Sequence, residues 1–251
     1  MVKVKPKKKL GQHFLTDANI ALRIVEALQE VDGSTVIEVG PGTGVLSQYL
    51  LNKYSQFLAF DIDDESIAFL KQRYPHHQEK FRKEDFLSYQ FPEGQVSIIG
   101  NFPYNISSQL LFKIWENHQC TSQVVCMLQK EVAQRICASP ANKQYGILSV
   151  LLGAFFDIEY LFDVGPRAFD PPPKVDSAVI RLKRNETKAL PFDQEFFKSV
   201  VKAGFGQRRK TLRNALKPLN LPLANLADHM LIKRAEQLSV EDFIALTRKL
   251  S

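Results

Sequence analysis

The sequence predicts an α/β fold followed by a small all-helical domain. Three observations carry this. From residue 34 onward, short β-branched runs alternate with helical patterns, the signature of βαβ units and a parallel sheet. The first strand runs into a glycine-rich turn, Gly40-Pro-Gly-Thr-Gly44. After Pro191 only helical patterns remain.

In chain order, Asp17 is a good N-cap for a helix that carries Ile20, Ile24 and Leu28 on one face. Residues 34–40 read as a strand and 45–53 as a helix. A second strand, 57–60, ends at Asp61, and Asp63 caps the helix 65–74. A third strand, 81–83, reaches Glu84-Asp85-Phe86. Val96–Ile99 is a short apolar run, read as a buried strand that ends at Gly100. Asn101, Phe102, Pro103 and Tyr104 then form a turn, because Pro103 cannot continue a ladder. The next helix has Ser107 or Ser108 as N-cap and Leu110, Leu111, Ile114 and Trp115 as its apolar face. Strand 124–128, helices 130–138 and 145–154, and strand 156–161 follow. A proline-rich loop presents Phe169, and 177–182 is the last strand. Residues 183–191 are polar and mark a boundary, giving domains 1–184 and 185–251.

Composition bounds the function. The 251 residues carry a net charge of +6. Five lysines and no acid lie in the first ten residues, among them Lys7, Lys8 and Lys9. Seven more bases lie in 198–217, including Arg208, Arg209, Lys210 and Arg213. The remainder is acidic on balance, so the charge sits in two patches, which favours a polyanionic partner. No run of 18 apolar residues exists, which excludes a spanning helix. The basic N-terminus has no apolar stretch behind it, so a signal peptide is not expected. Cys120, Cys126 and Cys137 have no paired spacing, and the five histidines no metal-ligand spacing, so reduced thiols, no metal and a cytoplasmic protein are expected.

The motifs indicate a nucleoside ligand. The dinucleotide fingerprint fails, because its third glycine position is Val45 or Ser47. What stands instead is Glu38-x-Gly40-x-Gly42-x-Gly44, the form typical of S-adenosylmethionine sites. Asp61 is placed for ribose hydroxyls and Asp85 for an adenine amine, with Phe86 beside the ring. Asn101 offers a carbonyl that accepts an amine proton, Pro103 a turn of carbonyls without its own N–H, and Tyr104 a flat ring. Together they suit a planar group with an exocyclic amine, such as adenine.

The motifs Leu-Gly-Gln-His-Phe-Leu (from Leu10), Glu-Val-Gly-Pro-Gly-Thr-Gly (from Glu38) and Gly-Asn-Phe-Pro-Tyr-Asn-Ile-Ser (from Gly100) resemble the small-subunit ribosomal RNA adenine dimethyltransferase family. So do Met-Leu-Gln-Lys-Glu-Val-Ala-Gln-Arg (from Met127), Ala-Phe-Asp-Pro-Pro-Pro-Lys-Val-Asp-Ser-Ala-Val (from Ala168) and Phe-Gly-Gln-Arg-Arg-Lys-Thr-Leu-Arg-Asn (from Phe205). The resemblance implies a seven-stranded Rossmann-like methyltransferase sheet and a small helical C-terminal domain. It implies transfer of four methyl groups from S-adenosylmethionine to two adjacent adenosines near the 3′ end of small-subunit RNA, on the assembling subunit. His13, Leu15, Gly40, Gly42, Asp61, Ile62, Asp85, Phe86 and Asn101 would contact the cofactor. Asn101, Pro103, Tyr104 and Phe169 would serve the target base, with Tyr104 and Phe169 on its two faces. Lys7–Lys9, Arg208–Lys210 and Arg213 would contact RNA. His13 stands where the family often has Asn, and Asp61 where it often has Glu. A sister class that methylates one adenosine of large-subunit RNA shares the cofactor motifs, but the Pro-Pro-Pro-Lys and Gln-Arg-Arg-Lys signatures favour the small-subunit family. Nothing suggests an obligate dimer, so a monomer is expected.

Overall fold

The computed structural model describes residues 4–7 and 10–251. Its elements are β1 (Phe14–Leu15), α1 (Ala18–Ala27), β2 (Thr35–Val39), α2 (Ser47–Lys53), β3 (Phe57–Asp61), α3 (Asp64–Arg73), β4 (Phe81–Lys83), β5 (Val96–Asn101) and α4 (Ser107–Glu116). There follow β6 (Thr121–Gln129), α5 (Lys130–Ile136), α6 (Ile147–Gly153), β7 (Phe156–Val164), β8 (Phe169–Asp170) and β9 (Ser177–Arg184). The chain ends in helices α7 (Gln194–Gly206), α8 (Leu212–Ala215), α9 (Asp228–Leu231) and α10 (Val240–Leu250).

Seven strands form one sheet in the order β4-β3-β2-β5-β6-β9-β7. The pairs β4–β3, β3–β2, β2–β5 and β5–β6 are parallel, and β9 runs antiparallel to β6. Strands in a parallel sheet covered on both faces read as continuous apolar runs. Val36–Val39 of β2 and Val96–Gly100 of β5 are buried without interruption for this reason. From β2 the chain builds outward through β3 to β4, then crosses back to β5 on the other side of β2. The crevice at the carboxyl ends of β2 and β5 is therefore the switch point where ligands bind in open α/β sheets.

Capping sets where the helices begin. Asp17 accepts the N–H groups of Asn19 and Ile20, at 2.9 and 3.1 Å, and Asp63 accepts that of Glu65 at 3.1 Å. Both caps match the sequence reading. The cap of α4 differs. Ser107 is the first helical residue, and its hydroxyl turns back to donate to the Tyr104 carbonyl at 3.2 Å. A small second sheet, β1 with β8, was absent from the sequence reading; two residues are too few to show a period.

Two compact units result. One holds residues up to Ala133 with Glu159–Arg184; the other holds Gln134–Ile158 with Asn185–Ser251. The sequence reading kept 134–158 in the first domain, whereas the structure gathers it into the second. The reason is packing: α6 is apolar along one face, and it lies against α7 and α10. Phe197, Val200, Val201 and Phe205 of α7 and Phe243, Leu246 and Leu250 of α10 supply the rest of that core. The Phe205 and Phe243 rings stack at 5.8 Å.

Candidate active site

A cleft of about 830 Å³, counting its open mouth, lies at the switch point. Its walls come from four strand ends and the N-terminal segment. Gly40 and Gly42 follow β2, Asp61 and Ile62 end β3, Asp85 and Phe86 follow β4, and Asn101–Tyr104 end β5. Leu10–Phe14 form the remaining wall. Gly40 and Gly42 have φ of 72° and 54°, where a side chain is strained. A Cβ on Gly42 would stand 2.8 Å from the Phe14 ring. A side chain on Gly40 would grow toward the Asn101 carbonyl and Pro103, filling the gap between the two loops.

The end of β5 is held from several directions. Asn101 donates through Nδ2 to the His13 carbonyl at 2.8 Å. This fixes the amide plane and leaves Oδ1 as an acceptor without a protein partner among the described residues. One N–H of the Asn101 amide is thus engaged and its acceptor is open. The Pro103 carbonyl accepts the Ile106 N–H at 3.2 Å, which uses one of its two lone pairs. The Tyr104 hydroxyl is bonded to Ser177 Oγ at 2.5 Å, and its ring stacks on the His13 ring at 5.6 Å and 27°. His13 Nδ1 in turn donates to the Pro171 carbonyl at 2.8 Å. Burial raises the Tyr104 pKa, against the Ser177 hydrogen bond, so the phenol stays protonated.

The acids differ in setting. Asp61 is buried, and burial pushes its pKa up to about 6, with the Asp63 carboxylate adding to the rise. Its Oδ1 accepts the Asp63 N–H at 2.9 Å and its Oδ2 the Gly42 N–H at 3.4 Å. Asp85 is exposed at the cleft, with Oδ1 accepting the Leu87 N–H at 3.0 Å. Beneath the glycine turn, Glu38 is fully buried, and burial raises its pKa to about 8. Ser47 Oγ donates to Glu38 Oε2 at 2.6 Å. Glu38 belongs to the motif but lies behind the turn, supporting it through Ser47.

Comparison with known proteins then decides the family. A family model described as ribosomal RNA adenine dimethylase matches residues 3–249. This chain belongs to that family. Its relatives include "Ribosomal RNA small subunit methyltransferase A" of Cytophaga hutchinsonii, 52% identical over 100% of this chain and 99% of the relative. The protein of the same description from Parabacteroides distasonis is 50% identical over 97% of this chain and 93% of the relative. Among solved structures, a dimethyladenosine transferase from Plasmodium falciparum superposes with a TM-score of 0.81 at 27% identity, covering 94% of this chain and 98% of that one. The 23S rRNA methyltransferase ErmE gives 0.72 at 26%, covering 94% and 99%.

Membership makes the chain a ribosomal RNA adenine dimethyltransferase with S-adenosylmethionine as methyl donor, and the cleft fits that group. Its glycine turn leaves a cradle that a Cβ would fill, a buried carboxylate faces it at a strand end, and apolar Val39, Phe60 and Phe86 line it.

Of the residues the sequence assigned to this dimethylase site, the structure gathers His13, Gly40, Gly42, Asp61, Ile62, Asp85, Phe86, Asn101, Pro103 and Tyr104 around one cleft. Two are placed elsewhere. Leu15 is 2% exposed and belongs to the hydrophobic core. Side chains alternate along a strand, so Phe14 takes the cleft and Leu15 the opposite side. Phe169 was expected to be presented by a loop; it is 4% exposed, in the same core, with its backbone paired to Leu15. An apolar ring beside a short strand gains more from burial than from display.

The basic assignments also change. Lys7 pairs with Asp63 at 2.6 Å and Glu65 at 3.0 Å. Lys8 and Lys9 lie outside the described residues. Arg208 donates to the carbonyls of Lys143 and Tyr145, at 2.7 and 2.8 Å, and pairs with Glu236 at 3.7 Å. Arg213 pairs with Asp228 at 2.5 Å. The side chains of Arg209 and Lys210 are exposed without an ion pair among the described residues. Sequence reasoning missed Gln12, Phe14 and Ser177. The first two sit inside the motif that held His13. Ser177 reaches Tyr104 across 73 residues, and nothing local signals it.

Proposed function

We propose that the chain dimethylates N6 of two adjacent adenosines near the 3′ end of small-subunit ribosomal RNA, on the assembling subunit. The observation that carries the chemistry is the Asn101 amide, tethered through Nδ2 and open at Oδ1. Adenine's exocyclic amine is a poor nucleophile, because its lone pair is delocalised into the ring. An acceptor fixed at Asn101 Oδ1, with the second lone pair of the Pro103 carbonyl, draws the amine hydrogens and favours a pyramidal nitrogen. This is alignment and preorganised electrostatics. S-adenosylmethionine, when bound, supplies a methyl group on a sulfonium that is already a strong electrophile.

The target base must leave its stack to reach such a pocket. Tyr104 replaces part of the lost stacking, about 1–3 kcal/mol. Its hydroxyl, tied to Ser177, anchors the ring. Asp61 holds the ribose hydroxyls and Asp85 the adenine amine of the cofactor. Arg209 and Lys210 meet RNA phosphates in the second unit.

The small-subunit target follows from relatives at 50–52% identity, against 26% for ErmE. We further propose a cytoplasmic monomer. No described helix is long and apolar enough to cross a membrane. The exposed large apolar side chains among the described residues, Leu22, Ile62, Val175 and Ile232, come from separate segments. The experiment is mass spectrometry of digested small-subunit RNA after incubation with isotopically labelled cofactor. Dimethyladenosine at two adjacent positions is expected; a single methylated adenosine in large-subunit RNA would contradict the assignment.

A further inference from the structure

Lys7 stands in an arrangement that RNA binding does not explain. Its Nζ lies 2.6 Å from Asp63 Oδ1 and 3.0 Å from Glu65 Oε1. Its backbone N–H donates to Gln12 Oε1 at 2.9 Å, and Gln12 Nε2 donates to Asp63 Oδ2 at 3.1 Å. Leu10 N–H closes the turn onto the Lys7 carbonyl at 2.9 Å. Both carboxylate oxygens of Asp63 are therefore held by the N-terminal segment. The Asp63 side chain is 1% exposed, so these partners are what allow it to stay charged in the fold. Burial alone would raise its pKa, yet Lys7 and Gln12 bring it below the ordinary value.

Asp63 is also the residue whose N–H holds Asp61 Oδ1, at 2.9 Å. The segment fastened there is a wall of the cleft, since Leu10–Phe14 line it. Its far end is pinned by the β1–β8 pairing. This wall is thus a strap tied at both ends, and one knot sits two residues from the carboxylate assigned to the ribose.

We propose that Lys7, with Gln12, is a latch that holds this strap over bound S-adenosylmethionine and sets how slowly the cofactor leaves. Lys7 is a positioning residue: it touches neither the cofactor nor the target base, and acts through Asp63 and the strap. The inference rests on the cofactor reading of the cleft. It removes Lys7 from the RNA-contacting set.

The test is the dissociation rate of S-adenosylmethionine and of its demethylated product, followed by chase with unlabelled ligand on the full chain without RNA. Lys7→Met keeps the stem and removes the charge. It is expected to speed dissociation about tenfold, the scale for losing a hydrogen bond between charged groups. Lys7→Glu is expected to do more, because a carboxylate would face Asp63. Adding Glu65→Lys to it returns an ammonium to the same spot and is expected to recover most of the slow rate. A purely structural role would lower the melting temperature of the ligand-free chain without this rescue, and that result overturns the latch. So does an unchanged dissociation rate in Lys7→Met, or a loss confined to the salt dependence of RNA binding. A wild-type chain that binds no cofactor overturns the reading beneath it instead.

Discussion

Asp61 reconciles two demands. In the proposed function it accepts hydrogen bonds from ribose hydroxyls, which an ionised carboxylate does with all its lone pairs. It is also buried, and its pKa in the ligand-free protein is raised to about 6. Cofactor binding therefore carries a proton-release cost below that value. Affinity for S-adenosylmethionine is expected to fall roughly tenfold from about pH 7.5 to about pH 5, and Asp61→Asn to flatten the profile at a weaker plateau. Calorimetric titration across this range is the check. Asp85→Ala is expected to weaken binding by about 1–3 kcal/mol, the loss of a hydrogen bond to a charged group. An unchanged dissociation constant there would remove the adenine assignment. Glu38 titrates the fold itself. Its folded pKa, about 8, lies above the ordinary 4.5, so the folded state binds the extra proton between them. Stability supplied by this group is present below the lower value and is lost as pH rises through the upper one. Denaturant titrations of the ligand-free chain are expected to show Glu38→Gln with a flatter decline toward pH 8 than the wild type; an equal slope would assign the decline to other groups.

Elements with strong local signals were legible in the sequence. Asp17 and Asp63 were legible as caps because a short acceptor side chain just before a helical pattern satisfies the free N–H groups of the first turn. The buried strand β5 read as a short apolar run, and the carboxyl ends of β2 and β5 located the cleft. Features fixed by distant contacts were not legible. Phe169 reads as a displayed aromatic after Arg167 and before three prolines, and only the pairing of β8 with β1 shows that it is buried. The basic run in 208–213 reads as one patch. In the fold, Arg208 is consumed by two carbonyls and Glu236, and Arg213 by Asp228. Replacing Arg209 and Lys210 by Ala is expected to lower the slope of log affinity against log salt by about 1.4 on single-stranded RNA, near 0.7 per contact. Arg208→Ala is expected to act on thermal stability and leave that slope unchanged. Equal slope changes from Arg208 and Arg209 would mean both reach phosphate.

At the scale of the molecule, the first unit contains all the residues assigned to cofactor and base. Its strand order reverses at β2, and because β4, β3, β2 and β5 run parallel, Gly40, Asp61, Asp85 and Asn101 meet at one opening from four separate strand ends. The second unit carries Arg209 and Lys210 on a helical core of its own. The excursion of 134–158 into that core escaped the sequence reading because nothing in a single apolar helix says which neighbour it will cover. In the proposed mechanism, the tethered amide of Asn101 makes the end of β5 a site of methyl transfer. Single-turnover methylation of small-subunit RNA by Asn101→Ala tests this most directly, with calorimetry confirming that the cofactor still binds. The chemical step is expected to slow by about 10²–10³-fold, the scale of losing one preorganised hydrogen-bonding group, whereas Tyr104→Phe keeps most activity through its ring. Methylation by Asn101→Ala at the wild-type rate would contradict the account.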